Sequence, residues 1–199
     1  IYIAKLPTGR LFFTLGDEEG EDYLLLMDVT SIHEQVNSSA GEFFTSNNPR
    51  TNQSLNPKLN SSINPKLNSS INPKFNSSIN PKFNSSINMK FNSSINPRFN
   101  SSINPKMNSS LNPKMNRSYG GPYIYDTNLS QNAYIVKASN NVDLVYSSSI
   151  ELLGFLVEAN EKVKIEFDSK GDWVGHLVKA SDQVWLRYTL NNEWIGLLV

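Results

Sequence analysis

The chain has 199 residues, with 18 basic and 18 acidic side chains, a formal net charge of zero, and no cysteine. That length holds one or two domains, and the missing cysteine excludes disulfides and thiolate metal sites. The charge is unevenly distributed: all 18 acidic residues lie outside 47–119, whereas ten of the 18 basic residues lie inside it.

Residues 1–46 come first. "IYIAKLPTGRLFFTLGDEEGEDYLLLMDV" predicts three strands ending near Val29. Its start lacks the charged-then-apolar pattern of a signal peptide, and no apolar run reaches the roughly 18 residues that a spanning helix needs. Asp17, Glu18, Glu19, Glu21 and Asp22 crowd into one turn. Dense carboxylates can hold Ca²⁺, but this spacing matches no calcium loop, and a solvated hairpin tip is the simpler expectation. No metal or other cofactor is assigned. "LPTG" at 6–9 lacks the residue that a sorting signal carries between Pro and Thr. His33, in "TSIHEQV", sits in no recognisable motif.

From Asn48 to Tyr119 the chain repeats an octad nine times, as in "NPKFNSSI". Asn occupies every fourth position from Asn48 through Asn116, and the residue before each later Asn is apolar except at Thr51. The unit is therefore a tetrapeptide, N-x-x-apolar. Proline at almost every eighth residue forbids a continuous helix, since the ring removes an N–H and clashes with the preceding turn. Seventy-two residues cannot form one straight strand in a compact domain either. The chain must turn every four residues, with Asn bonding its own backbone two residues on. These constraints predict a narrow β-solenoid-like coil with the apolar residues inward and Asn laddered at the corners. Arg50, Lys58, Lys66, Lys74, Lys82, Lys90, Arg98, Lys106 and Lys114 all take the third octad position, so they share a phase and form a basic ladder. "NSS" recurs from Asn60 to Asn108, and each copy is a glycan acceptor in the eukaryotic secretory pathway. A bacterial source, cytoplasmic or secreted, is the expectation.

Residues 120–199 hide a second repeat, of 21 residues, starting at Val136, Val157 and Val178. Val142, Val163 and Val184 correspond, as do Tyr146, Phe167 and Tyr188, and Gly154, Gly175 and Gly196. Alternation in "VDLVY", "VKIEF" and "VWLRY" marks strands, and "SNN", "SSS", "DSKGD" and "LNN" mark the turns between them. The expectation is an antiparallel meander or small barrel of about seven strands, packed with residues 1–46 into one β-domain. The tyrosines Tyr119, Tyr123, Tyr125 and Tyr134 are placed to cap the repeat.

"NVDL" at 141–144, "LLGFL" at 152–156, "KVKIEF" at 162–167, "GDWVGHLV" at 171–178 and "EWIGLLV" at 193–199 follow in the order of a bacterial SH3-like domain, which residues 134–199 resemble. Asn160-Glu161 stand where that family usually has a glycine. The resemblance implies a module that binds a wall polymer or a peptide.

Two further residues stand out. Trp185 replaces Asp143 and Lys164 of the other copies, so an aromatic side chain occupies the polar face of its strand, with Arg187 on the same face. Together they are candidates to stack on a sugar or a base. His176 aligns with Phe155 and Leu197, which predicts a packed strand residue. Nucleophile elbows, P-loops and dinucleotide fingerprints are absent. The functional expectation is a non-enzymatic binding or scaffold protein. Its basic ladder meets a polyanion such as a wall polymer, an acidic polysaccharide or a nucleic acid, and homo-oligomers are compatible. The alternatives are a water- or ice-ordering Asn/Ser surface, and a hydrolase using His33 or His176.

Overall fold

The computed structural model describes residues 2–5, 11–16, 22–25, 47–128 and 130–199. In the N-terminal part, β1 (Tyr2–Lys5), β2 (Leu11–Gly16) and β3 (Asp22–Leu25) pair antiparallel in the order β1-β2-β3. Three strands were expected there. Among the described residues they form a three-stranded sheet of their own.

The C-terminal part closes on itself. Its strands are β4 (Tyr123–Asp126), β5 (Gln131–Lys137), β6 (Val142–Ser147), β7 (Leu152–Asn160), β8 (Val163–Asp168), β9 (Trp173–Lys179), β10 (Trp185–Thr189) and β11 (Trp194–Leu198). They make a closed antiparallel barrel in which β11 returns to pair with β4. Eight strands stand where about seven were expected, because β4 and β5 form a degenerate first copy of the 21-residue hairpin. Tyr123, Tyr125, Ala133 and Tyr134 lie 21 residues before Leu144, Tyr146, Gly154 and Phe155.

The hairpins share one construction. At Asp126, Ser147, Asp168 and Thr189 the side-chain oxygen accepts the N–H four residues on, while the backbone N–H of the same residue bonds the carbonyl across the turn. Each hairpin then shifts register, between Ile124/Tyr125, Val145/Tyr146, Glu166/Phe167 and Arg187/Tyr188. A bulge of this kind bends a strand and raises its twist, which helps eight strands close. Opposite it, a Cβ on Gly154 would lie 2.1 Å from the Phe167 carbonyl oxygen, and one on Gly175 would lie 2.5 Å from that of Tyr188. Neighbouring backbones approach there too closely for a larger residue.

The two faces of the barrel are told apart by which side chains meet. Lys164 on β8 reaches Asp143 on β6, and Arg187 on β10 reaches Glu166 on β8, each across an intervening strand. Side chains two strands apart converge most readily on a concave surface, and the octads pack on the opposite phase, so this is the inside. Ile124, Ile135, Val145, Leu156, Leu177 and Leu198 fill the same phase. The opposite phase is also apolar: Tyr134 stacks on Tyr146, Phe155 on Phe167, and His176 on Tyr188. An apolar outer face needs a cover, and the octads supply it.

Residues 53–111 contain eight three-residue 3-10 turns and no strand. Where stacked β coils were expected, there is a single run of lone turns. The local reason lies in Asn. Each cap Asn is extended, with φ between −116 and −88° and ψ between 100 and 116°, so every turn stops after one cycle. The side chain then restarts it. Asn60 Oδ1 accepts from the N–H and Oγ–H of Ser62 at 3.1 and 2.7 Å, and Asn64 Oδ1 accepts the Lys66 N–H at 2.9 Å. The amide nitrogens tie one octad to the previous one: Asn60 Nδ2 donates to Ser54 O and Asn64 Nδ2 to Pro57 O, both at 2.8 Å. Asn is thus used at both ends of its side chain, which is why no other residue replaces it.

This strand of turns runs round the outside of the barrel like a belt. Tyr188 Oη on β10 donates to Leu55 O at 2.6 Å, Lys66 meets Asn191, Lys82 meets Asp172, and Tyr146 Oη on β6 donates to Ile103 O at 3.2 Å. At its end Tyr119 Oη donates to Ile135 O on β5. Tyr119, edge-on to Tyr123 and Tyr134, closes the belt against the barrel, in keeping with the expected tyrosine cap. Leu55 and the Ile of each following octad through Ile103 are 1–8% exposed and share one core with the outer phase of the strands.

The other apolar position is not inward. Leu59, Leu67, Phe75, Phe83, Phe91, Phe99, Met107 and Met115 are 64–76% exposed, which corrects the expectation that both apolar residues of an octad face a core. The belt is one layer thick and has a single buried side. Pro and Ile take that side, and the residue after each Lys or Arg is left outside.

Candidate binding surface

Arg50, Lys58, Lys66, Lys74, Lys82, Lys90, Arg98, Lys106 and Lys114 are all exposed. The local cause is the Asx turn: the Asn two residues before each of them holds its backbone N–H, as in Arg50 to Asn48 at 2.9 Å and Lys114 to Asn112 at 3.0 Å. The backbone is thereby fixed and the long side chain is directed away from the buried Pro. Among the described residues one of the nine forms an ion pair, Lys82 with Asp172 at 2.8 Å. That contact holds the Asp172 carboxyl below its ordinary value, because Lys82 donates a hydrogen bond to it. From Lys58 to Lys114 each cation is followed directly by one of the exposed apolar residues. The octads therefore present a cation and a large apolar side chain together, eight times over. The sequence located the cations but not their apolar companions.

The Asn/Ser faces are less available than the sequence implied. The Asn side chains are spent on backbone groups and on the hydroxyl of the second Ser of each N-S-S, as in Ser62 Oγ to Asn60 Oδ1 at 2.7 Å.

Trp185 and Arg187 share a face, as expected, but it is the inner face of the barrel. The Arg187 guanidinium makes a bidentate pair with Glu166, Nε to Oε2 at 2.9 Å and Nη2 to Oε1 at 2.7 Å. Lys164 lies 5.0 Å over the Trp185 ring and bonds Asp143 at 2.6 Å. The two residues expected to stack on a ligand are thus engaged within a polar network in the barrel. The signal for this was in the register: Asp143, Lys164 and Trp185 recur at 21-residue intervals, as do Glu166 and Arg187.

His176 is 1% exposed, stacked on Tyr188, and neither ring nitrogen has a hydrogen-bond partner. Burial, and secondly the charge of Lys66, push its pKa down from 6.5 to about 4. A neutral imidazole sealed between belt and barrel has neither a carboxylate to orient it nor access for a substrate. His33 and the acidic turn Asp17–Glu21 lie outside the described residues. No helix among the described residues is long and apolar enough to cross a membrane.

Comparison with known proteins finds no match: no family model, curated protein or solved structure matches this chain.

Proposed function

We propose that this is a non-enzymatic binding protein whose belt contacts a polyanion through Arg50, Lys58, Lys66, Lys74, Lys82, Lys90, Arg98, Lys106 and Lys114. The observation that carries the reading is the repetition of an exposed cation at the same position of each octad, with a carboxylate partner among the described residues at Lys82 alone. Like charges about 10 Å apart in water repel by roughly 0.4 kcal/mol before screening, so such a row is tolerable without a ligand. It offers a chain of phosphates or carboxylates a continuous favourable field. The resemblance of residues 134–199 to bacterial SH3-like domains points to the same class of activity, with the barrel acting as the rigid former on which the belt is wound. On this reading the belt of turns supplies the ligand surface, and the barrel supplies stability.

The test is binding of the full chain to heparin, teichoic acid and duplex DNA at low and high salt. Affinity is expected to fall with salt, and with DNA each neutralised phosphate adds about −0.9 to the slope of log affinity against log salt. Replacing Lys58, Lys74, Lys90 and Lys106 by Gln should weaken binding to every polyanion tried. Unchanged binding in that variant, or none at low salt in the parent, removes the reading.

A further inference from the structure

The exposed apolar side chains are not explained by a polyanion alone. Leu59, Leu67, Phe75, Phe83, Phe91, Phe99, Met107 and Met115 lie in the open, and each is covalently next to a cation. Scattered exposed apolar residues are ordinary, but eight large ones repeated in register, each beside a cation, point to a partner. Stacking on the bases of a single strand fits poorly, because base stacking requires aromatic rings and four of the eight positions are Leu or Met. A glycan or teichoic acid chain covers cations but has little apolar surface for eight such side chains. A lipid interface takes up both kinds. Lys and Arg meet headgroup phosphates, while Phe, Leu and Met enter the boundary between headgroups and acyl chains.

The placement of the row agrees. In an up-and-down barrel the turns 126–130, 147–151, 168–172 and 189–193 all lie at one end. Lys66 meets Asn191 and Lys82 meets Asp172, both in those turns, and the Pro81 ring lies 3.5 Å from where a Cβ on Gly171 would stand. At Lys66 and Lys82 the cationic row therefore meets that end. Two more exposed apolar side chains, Leu153 and Val174, follow the turns at the same end. Leu67 and Phe83, next in sequence to Lys66 and Lys82, and Leu153 and Val174 on the barrel are thus uncovered apolar residues of the same region. Asp126, Glu151, Asp168, Asp172 and Glu193 sit there too and oppose an anionic surface, so charge by itself is a weak anchor and apolar insertion has to add to it.

We infer that the belt is a docking surface for an anionic lipid bilayer, with the lysines on headgroup phosphates and the following Leu, Phe or Met inserted beneath them. This rests on the polyanion reading and names its partner.

The experiment is co-sedimentation of the full chain with vesicles of phosphatidylglycerol and phosphatidylcholine in equal parts, and with vesicles of phosphatidylcholine alone, alongside heparin and single-stranded DNA. Three variants accompany the parent: Phe75, Phe83, Phe91 and Phe99 all changed to Ser; Met107 and Met115 changed to Ser; and the four-lysine Gln variant. The substituted side chains are exposed, and circular dichroism melting verifies that each variant is folded. The expected result is sedimentation with the anionic vesicles only, weakened at least about tenfold by the Phe→Ser changes, less by the Met→Ser changes, with heparin binding retained in both. The Lys→Gln variant should lose vesicles and heparin together. Heparin or DNA binding without vesicle binding overturns the lipid inference and leaves the polyanion reading standing. Vesicle binding that the Phe→Ser variant keeps in full also overturns it. Concentration-dependent self-association abolished by Phe→Ser would make the row a contact between copies and would overturn it likewise. No binding to any of the four probes overturns both readings.

Discussion

Asn64→Ala tests whether the asparagines hold the belt together. Asn64 is 4% exposed. Its Oδ1 accepts the Lys66 N–H at 2.9 Å, and its Nδ2 donates to Pro57 O at 2.8 Å, seven residues back. Alanine removes both bonds and leaves a partly buried backbone donor at Lys66 and a buried backbone acceptor at Pro57 unmet. An unmet buried group costs about 1–3 kcal/mol, so the pair sums to roughly 2–6 kcal/mol, softened where water reaches either group. Asn64→Asp separates the two halves of the argument. It keeps the acceptor for Lys66 and loses the donor to Pro57, while placing a charge beside a carbonyl oxygen, so it should fall at the upper end of that range. Asn60 serves as control: it makes the same kinds of bond to Ser62 and Ser54, but in exposed surroundings. Water can replace those partners, and Asn60→Ala should cost about 1 kcal/mol or less. Urea unfolding followed by tyrosine and tryptophan fluorescence gives all three values. If Asn64→Ala shifts stability by no more than Asn60→Ala, the inter-octad bond does not hold the belt and the reasoning fails.

The two apolar positions of an octad should behave oppositely. Ile71→Ala, at a side chain 1% exposed, should cost about 2–5 kcal/mol, whereas Phe75→Ser, 75% exposed, should stay within about 0.5 kcal/mol; equal shifts in a thermal melt would place inside and outside wrongly. His176 gives an acid signature. Its folded pKa is depressed from 6.5 to about 4, so the unfolded chain binds the extra proton between those values. The stability it contributes is complete above about pH 6.5, falls as the pH drops toward 4, and levels off below, a loss of about 3 kcal/mol. His176→Phe, the residue found 21 positions earlier, should flatten that part of a stability-against-pH curve; an unchanged curve would mean His176 is protonated or exposed in the fold. Arg187→Met leaves the buried Glu166 carboxylate without its partner and should cost about 3–5 kcal/mol. The Glu166→Leu/Arg187→Met pair should recover most of that loss in the same urea assay, and no recovery would contradict the pairing.

Much of the barrel could be read in advance from the period of 21, because strand, turn and bulge recur in step. The first hairpin escaped because Gly121 stands for Val142 and Ala133 for Gly154, the residues by which the other copies are recognised. The belt was harder for a physical reason. Residues four apart on a chain that turns every four residues look equivalent, so Ile79 and Phe83 could not be ranked by pattern alone. One signal separates them. The buried position holds Ile from Ile63 to Ile103, while the exposed one drifts through Leu, Phe and Met along the chain. A position closed by packing keeps one shape, and an open one does not. The cover over the barrel also had a sign, in runs such as Phe155-Leu156-Val157, where consecutive apolar residues mark a strand buried on both faces. The candidate lysines needed no structure to find, because exposure follows from their charge. Trp185 and Arg187 misled because a polar strand face usually means solvent, and here it lines a closed barrel.

The central claim is that residues 48–119 are a folded belt wound on the barrel. Amide hydrogen exchange on the whole chain tests it most directly. The account predicts slow exchange at the Asn and Ile amides that donate within the belt, such as Asn60, Asn72 and Asn100, lost together with that of β6 and β8 as urea is added. Rapid exchange throughout 48–119 while the strands stay protected would contradict it, and would leave the octads as a linker beside a barrel that has no cover.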